Sequence, residues 1–170
     1  PPSSRNMDNS YRGRCWLLPM IPSKVQRVLD AHGLRALEFE AGSTPTSEMA
    51  AERIGCEVGQ IAKSMLLKGK DGLFRLIVCS GDRRVDNKKL KLALGVKARF
   101  ATAEETETVT GFRPGGVCPF GLDDVDTLID SSLQRFDIIY PAAGNNASGV
   151  PLSFEQLQQI TAARICDVMT

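Results

Sequence analysis

Residues 115–122 read Gly-Gly-Val-Cys-Pro-Phe-Gly-Leu, with one cysteine among three glycines and a proline. Two kinds of chemistry follow from that spacing. Cys118 is a nucleophile if loop amides and nearby positive charge lower the pKa of its thiol. Alternatively, the backbone is the working part. Gly115, Gly116 and Gly121 permit conformations barred to other residues and a close approach to a ligand, while Pro119 stiffens the turn. Amides turned into a pocket would then hold a carbonyl oxygen as it becomes an oxyanion. A tight turn carrying a small, half-buried cysteine is the purely structural alternative. The other candidate is Lys63, flanked by Ile61, Ala62, Met65 and Leu66. This setting holds an ammonium at the edge of an apolar wall, either as an anion contact or as a snorkelling surface lysine.

His32 is the one histidine of the chain. It follows an amphipathic helix next to Gly33, a place for a helix-dipole partner or a surface residue. Most Ser/His and Cys/His nucleophile schemes and most histidine-ligated metal sites are thereby removed, since each needs an imidazole beside the reacting group. The five cysteines, Cys15, Cys56, Cys79, Cys118 and Cys166, are widely spaced with no C-x-x-C pair. Neither a zinc site nor a disulfide framework is indicated, and a reducing cytoplasm is the compartment expected. No P-loop pattern is present, and Gly-Phe-Arg-Pro-Gly-Gly follows a helix instead of a strand, which weakens a nucleotide-binding reading.

The elements that must position these residues are legible in the patterning. At 170 residues the chain fits one domain, and no apolar run approaches the roughly 18 residues of a membrane helix. With 21 basic against 20 acidic residues the net charge is +1, so any RNA contact is confined to a local patch, and neither DNA nor a membrane is an expected partner. Residues 1–22, polar and turn-rich at their start, read as a flexible tail. Ser23 is the expected cap of a helix through Gly33, and 34–40 alternates as a strand. Thr46 or Ser47 opens a second helix. A short helical entry at 57–62 runs into a hairpin turned at 69–72, with Lys63 where helix gives way to strand. Residues 85–95 form a helix with Leu90, Leu94 and Leu92 inward and Lys88, Lys89 and Lys91 on a solvated face. A short helix ends at Gly111. Apolar β-rich runs follow at 126–133, 136–144 and 149–154, then a capped helix and a final strand at 164–169. Strands and helices alternate without βαβ regularity, which predicts an α+β fold with a mixed sheet flanked by helices.

Four stretches in order, 46–67 (TSEMAAERIGCEVGQIAKSMLL), 80–95 (SGDRRVDNKKLKLALG), 100–122 (FATAEETETVTGFRPGGVCPFGL) and 140–168 (YPAAGNNASGVPLSFEQLQQITAARICDV), resemble the YbaK-type editing domains. These stand alone or are inserted in bacterial prolyl-tRNA synthetases. The similarity runs over residues 23–170 and implies a single α+β domain with a partly barrel-like mixed sheet and no metal or other cofactor. The implied activity is hydrolysis of the ester between a wrong, small amino acid and the 3′ end of tRNA, most often tRNA(Pro). Aminoacyl-tRNA and a prolyl-tRNA synthetase are the implied partners. Lys63 matches the family lysine that contacts the phosphate or ribose of the terminal adenosine. Gly115 to Pro119 matches the G-x-x-x-P loop that positions the carbonyl and α-amino groups, which assigns Gly115, Gly116 and Pro119 to catalysis with Lys63. Ile61, Met65, Cys118, Phe120, Gly121 and Gly144 are the substrate-side positions by their place beside these motifs. Cys118 departs from the serine or threonine common there, and Tyr-Pro-Ala-Ala-Gly-Asn-Asn at 140–146 departs from the alanine-specific branch. A non-catalytic tRNA- or synthetase-binding module and a small amino-acid ester hydrolase are the rival readings.

Overall fold

The computed structural model describes residues 18–170. Cys15 and residues 1–17 of the expected tail lie outside the described residues. The remainder of that stretch is docked: the Asn145 side-chain amide donates to the Met20 carbonyl at 3.3 Å, and the Pro22 ring lies against Gly144. Helix α1, Ser23–Ala31, follows directly. Its N-cap is Pro22, one residue before the expected Ser23, and no side chain caps it; Val25 and Gln26 donate to the Pro22 carbonyl instead. Val25 and Leu29 share its buried face.

Strand β1 is only Leu37–Glu38, shorter than the alternation predicts, because its antiparallel partner β6, Ser148–Gly149, offers only two residues. Helix α2, Ser47–Ile54, is capped by Thr46, whose hydroxyl accepts from the Met49 amide. A 3-10 turn at Val58–Gln60 then leads into β2, Ala62–Gly69, which pairs antiparallel with β3, Phe74–Ser80. Helix α3, Asn87–Leu94, is capped by Asp86. Leu90 is buried in it, but Leu92 is 84% exposed, contrary to the inward placement expected. Two residues advance about 200° round a helix, so 90 and 92 do not share a face. Strand β4, Ala98–Phe100, precedes α4, Ala103–Thr110, whose capping box joins Thr102 and Glu105. Of the three apolar runs expected to be β-rich, only Asp126–Asp130 (β5) enters the main sheet. The Asp130 carboxylate accepts from the Ser132 amide and turns the chain into a 3-10 segment, Ser131–Arg135, while Ile139 and Tyr140 make isolated bridges. Helix α5, Phe154–Thr161, and β7, Arg164–Cys166, complete the chain.

The five-stranded sheet has the order β4-β2-β3-β5-β7, antiparallel about β2 and parallel from β3 to β7. It is the mixed α+β arrangement expected, and it is open, with β4 and β7 as its edges. Strand alternation divides the core in two. Ala62, Leu66, Leu76 and Ile129 face the larger cluster with Val25, Leu29, Phe112 and Phe120. Leu67, Ile77 and Cys79 face a smaller one with Leu90 and Val168.

The glycine loop is braced from two directions. Lys24 of α1 donates to the Thr110 carbonyl, stands 4.3 Å from the centroid of the Phe112 ring, and packs on Gly121. On the other side Gly116 lies so close to the 144–146 backbone that an added Cβ would stand 2.8 Å from Asn145 Cα. Backbone cannot retreat as a flexible side chain does. Gly116→Ala is therefore expected to cost about 1–3 kcal/mol through overpacking, a fall in Tm of roughly 2–12 °C for a domain of this size measurable by thermal unfolding.

A second brace sets β4 against α4. Glu105 accepts from both guanidinium nitrogens of Arg99 at 2.8 and 3.1 Å and from the Thr102 amide at 2.9 Å. The Arg99 hydrogen bonds chiefly, then that amide, hold its carboxyl near a pKa of about 2, below the usual 4.5. The folded value is the lower one, so the stabilisation is complete above about 4.5 and is lost as pH falls from there toward 2. Replacing Glu105 by Gln is expected to flatten the dependence of Tm on pH across that window.

Candidate active site

Strand β2 has an interruption on its outer edge. The Ala62 amide donates to the Tyr140 carbonyl at 3.1 Å, and the Leu66 carbonyl accepts from the Ala101 amide at 2.9 Å. Alternate residues of an antiparallel strand direct their peptide groups to the same edge. The N–H and C=O of Ser64 therefore face this edge too, with no backbone partner among the described residues. The Ser64 hydroxyl is buried and also unpartnered. Buried polar atoms are almost always satisfied in folded proteins, so an unsatisfied one calls for a ligand or water.

A cleft of about 290 Å³ opens on this edge, near the lower end of the roughly 300–1,000 Å³ typical of ligand pockets. Ile61, Lys63 and Ser64 line it with Thr46, Ser47 and Glu48 from the start of α2, Gly115 and Val117 from the glycine loop, and Tyr140, Ala142 and Ser148 from the late segment. Of the residues expected from sequence, Ile61, Lys63 and Gly115 meet here.

Lys63 is exposed and, among the described residues, has no carboxylate within ion-pair distance. Asp82 is taken by Arg135 at 2.8 Å, whose hydrogen bonds hold its carboxyl below the ordinary range. An ammonium free of counter-ions beside a cleft is suited to an anionic or polar ligand. In the same cleft, Gly115 has φ +88°, a left-handed conformation that glycine adopts without strain. The Gly116 amide donates to the Arg113 carbonyl at 3.0 Å, whereas those of Gly115 and Val117 have no protein acceptor among the described residues. Start-of-helix amides at Ser47 and Glu48 add further donors to the rim, because first-turn N–H groups lack intrahelical partners.

The remaining expected residues lie elsewhere. Cys118 and Phe120 are fully buried in the main core and do not line the cleft. Burial pushes the Cys118 thiol up to about 12, so it is protonated at neutral pH and is neither the half-buried residue nor the activated thiolate that sequence allowed. The loop carries Val117 to the cleft and Cys118 to the core. Gly116 supports the loop from behind, Gly121 packs on Lys24, and Gly144 packs on Pro22 and Phe112 with φ +90°. Pro119 lines a surface depression with Asp123 and Thr161. Met65 opens on a neighbouring recess.

Several lining residues escaped the sequence reading: Thr44, Ser47, Glu48, Tyr140 and Ser148. The helix cap at Thr46 was readable and marks a row of free amides, but nothing local shows that this helix start meets the loop seventy residues on. Thr44 and Ser148 serve the scaffold, since the Thr44 hydroxyl accepts from the Ser148 amide and the Ser148 hydroxyl from that of Ala143. Among the described residues no group of three or more His, Cys, Asp or Glu side chains is placed to hold a metal ion. None of the described helices is long and apolar enough to cross a membrane.

Comparison with known proteins agrees with this geometry. The family model of the aminoacyl-tRNA editing domain matches residues 41–160. The chain is 40% identical over 129 residues to the uncharacterized protein YwhH of Bacillus subtilis, an alignment covering 75% of this chain and 82% of that one. It is 25% identical over 153 residues to EbsC of Enterococcus faecalis, by name a candidate Cys-tRNA(Pro)/Cys-tRNA(Cys) deacylase, covering 87% and 93%. A solved structure of a candidate trans-editing enzyme for prolyl tRNA synthetase matches with a TM-score of 0.81 at 33% identity, over 89% of this chain and 99% of that one. With most of its length matched in sequence and in fold, the chain belongs to the YbaK-type aminoacyl-tRNA editing domain family, whose chemistry is deacylation of aminoacyl-tRNA.

Proposed function

We propose that this chain is a trans-editing deacylase that removes a small, wrongly attached amino acid, of the size of alanine, cysteine or serine, from the 3′ end of tRNA(Pro). The observation that carries the reading is the small cleft lined together by Lys63, which among the described residues has no carboxylate within ion-pair distance, and by Gly115 and Val117, whose amides have no protein acceptor among them. EbsC, named for both Cys-tRNA(Pro) and Cys-tRNA(Cys), and the solved structure, named as trans-editing for prolyl tRNA synthetase, support tRNA(Pro) as the tRNA. A prolyl-tRNA synthetase is then the natural source of the mischarged substrate, and the cytoplasm the place of encounter.

An aminoacyl ester is already activated, so positioning a water and stabilising the oxyanion are sufficient contributions from the protein. Lys63 holds the terminal nucleotide at a phosphate or ribose oxygen. Water, oriented in the cleft or by the neighbouring ribose hydroxyl, adds to the carbonyl carbon, and the loop amides receive the negative charge that develops on oxygen. The bond from carbon to the ribose oxygen then breaks. That oxygen leaves with one proton of the water, and the other is released as the new carboxylic acid ionises. Selection is by size: a synthetic pocket gains only about 1–3 kcal/mol per missing methylene, so smaller amino acids enter there, and Ile61, Val117 and Ala50 narrow the cleft in which they are removed.

The deciding measurement charges tRNA(Pro) in turn with alanine, cysteine, serine, threonine and proline and follows release. One small amino acid is expected to be freed and proline retained; release of none would overturn the reading. Lys63→Ala is expected to lower kcat/KM by roughly 10- to 100-fold, the value of a hydrogen bond to a charged group, without change in Tm. Cys118→Ala is expected to keep turnover and lose some stability, and iodoacetamide at neutral pH to leave the folded protein active. Inactivity of Cys118→Ala with the fold intact, or inactivation by iodoacetamide with carbamidomethylation confined to Cys118, would restore the thiol to the chemistry.

A further inference from the structure

The cleft does not end at Gly115. Ser64, Gly115 and Val117 also line a second recess of about 360 Å³ on the other side of the loop, where Met65, Phe100 and Pro114 are found. The two spaces open on the same unpaired stretch of β2, between the hydrogen bonds at Ala62 and Leu66. Phe100, the last residue of edge strand β4, is 54% exposed there. Its backbone is directly paired with Leu67. Ion pairs lie beside it: Arg99 precedes Phe100 and is held by Glu105 at 2.8 Å, Lys68 stands 3.7 Å from the same carboxylate, and Arg113, whose side chain is 87% exposed, precedes Pro114 and lies 3.9 Å from Glu107.

We infer that this recess is a nucleobase subsite in which Phe100 stacks a base of the unpaired 3′ end of tRNA, with Arg99 and Arg113 facing the adjoining phosphates. The inference rests on the deacylase reading, which places the terminal ribose in the adjacent cleft and so brings a base to the far side of Gly115. An exposed aromatic face binds single strands because every base presents a π-face, and the phosphates of the strand would compete with Glu105 and Glu107 for the guanidinium groups beside it. It also accounts for a rigid setting at an exposed position: the Arg99–Glu105 pair and the Thr102 capping box hold the end of β4 where a stacking platform requires it. Phe100 is a binding residue here and takes no part in the bond change.

The test compares wild type with Phe100→Ala, Phe100→Leu and Phe100→Trp on two substrates, charged tRNA and the ethyl ester of the same amino acid, which has no base. For charged tRNA, Ala and Leu are expected to raise KM by roughly 5- to 150-fold, the worth of one stacked base, with kcat within about twofold of wild type, and Trp to restore KM. Ester hydrolysis should be the same in all four. An unchanged KM in Phe100→Ala, or Leu performing as well as Trp, would overturn the subsite. A parallel NMR titration with the unacylated trinucleotide C-C-A separates the two readings. If wild type binds it, Phe100→Ala and Phe100→Leu bind it more weakly and Trp restores binding, the subsite stands even where no charged tRNA is deacylated. If all four proteins bind equally or not at all, the subsite is wrong even where deacylation is found.

Discussion

A gap at Ser64 in the outer hydrogen-bonding edge of β2 organises this molecule. At one end Tyr140 takes the Ala62 amide, at the other Ala101 gives its amide to Leu66, and Ser64 between them has no backbone partner on that edge among the described residues. Closing the gap with a longer β4 would satisfy the backbone and remove the site. Instead the glycine loop is brought opposite it, and the start of α2 and the 140–148 segment converge on the same place. An unpaired strand edge is a liability in most folds; here the loop and the late segment shelter it, and its polar groups become part of the cleft.

The division of labour between Lys63 and the loop follows from strand geometry. Lys63, Met65 and Leu67 share one face of β2 and Ala62, Ser64 and Leu66 the other. Lys63 therefore reaches the cleft from the rim, while the loop meets the strand on the Ser64 side. A cation at the rim and amides within is an order suited to a substrate whose charged backbone stays in solvent and whose ester enters. No imidazole or thiolate is needed where preorganised donors meet an activated carbonyl.

Local signals in the sequence were reliable where the physics is local. The caps at Thr46 and Ser153, the hairpin of β2 and β3 and the helix ending at Gly111 each depend on a few neighbouring residues, and each forms as read. Long-range packing was not legible. Pro22 displaced Ser23 as a cap, Leu92 turned outward, and the apolar run at 136–144 made bridges in place of a strand. At the site, motif spacing brought Ile61, Lys63 and Gly115 to one cleft. It could not tell Val117 from Cys118, because which of two adjacent loop residues faces the core is decided by the partner surface, here Asn145 and Lys24.

The seating of Gly116 against the Asn145 backbone has a consequence for how such a protein diversifies. On the editing reading, the parts that hold the reacting carbonyl are main-chain amides fixed by Gly116, which has no room for a Cβ, and by Gly115, whose φ is +88°, whereas the parts that measure the amino acid are the side chains of Ile61, Val117, Ala50 and Ala142. Catalytic competence and selectivity are thus written in different alphabets, one of backbone shape and one of side-chain volume. A lineage can exchange the second residue by residue, drifting from one rejected amino acid to another, while the first stays unaltered.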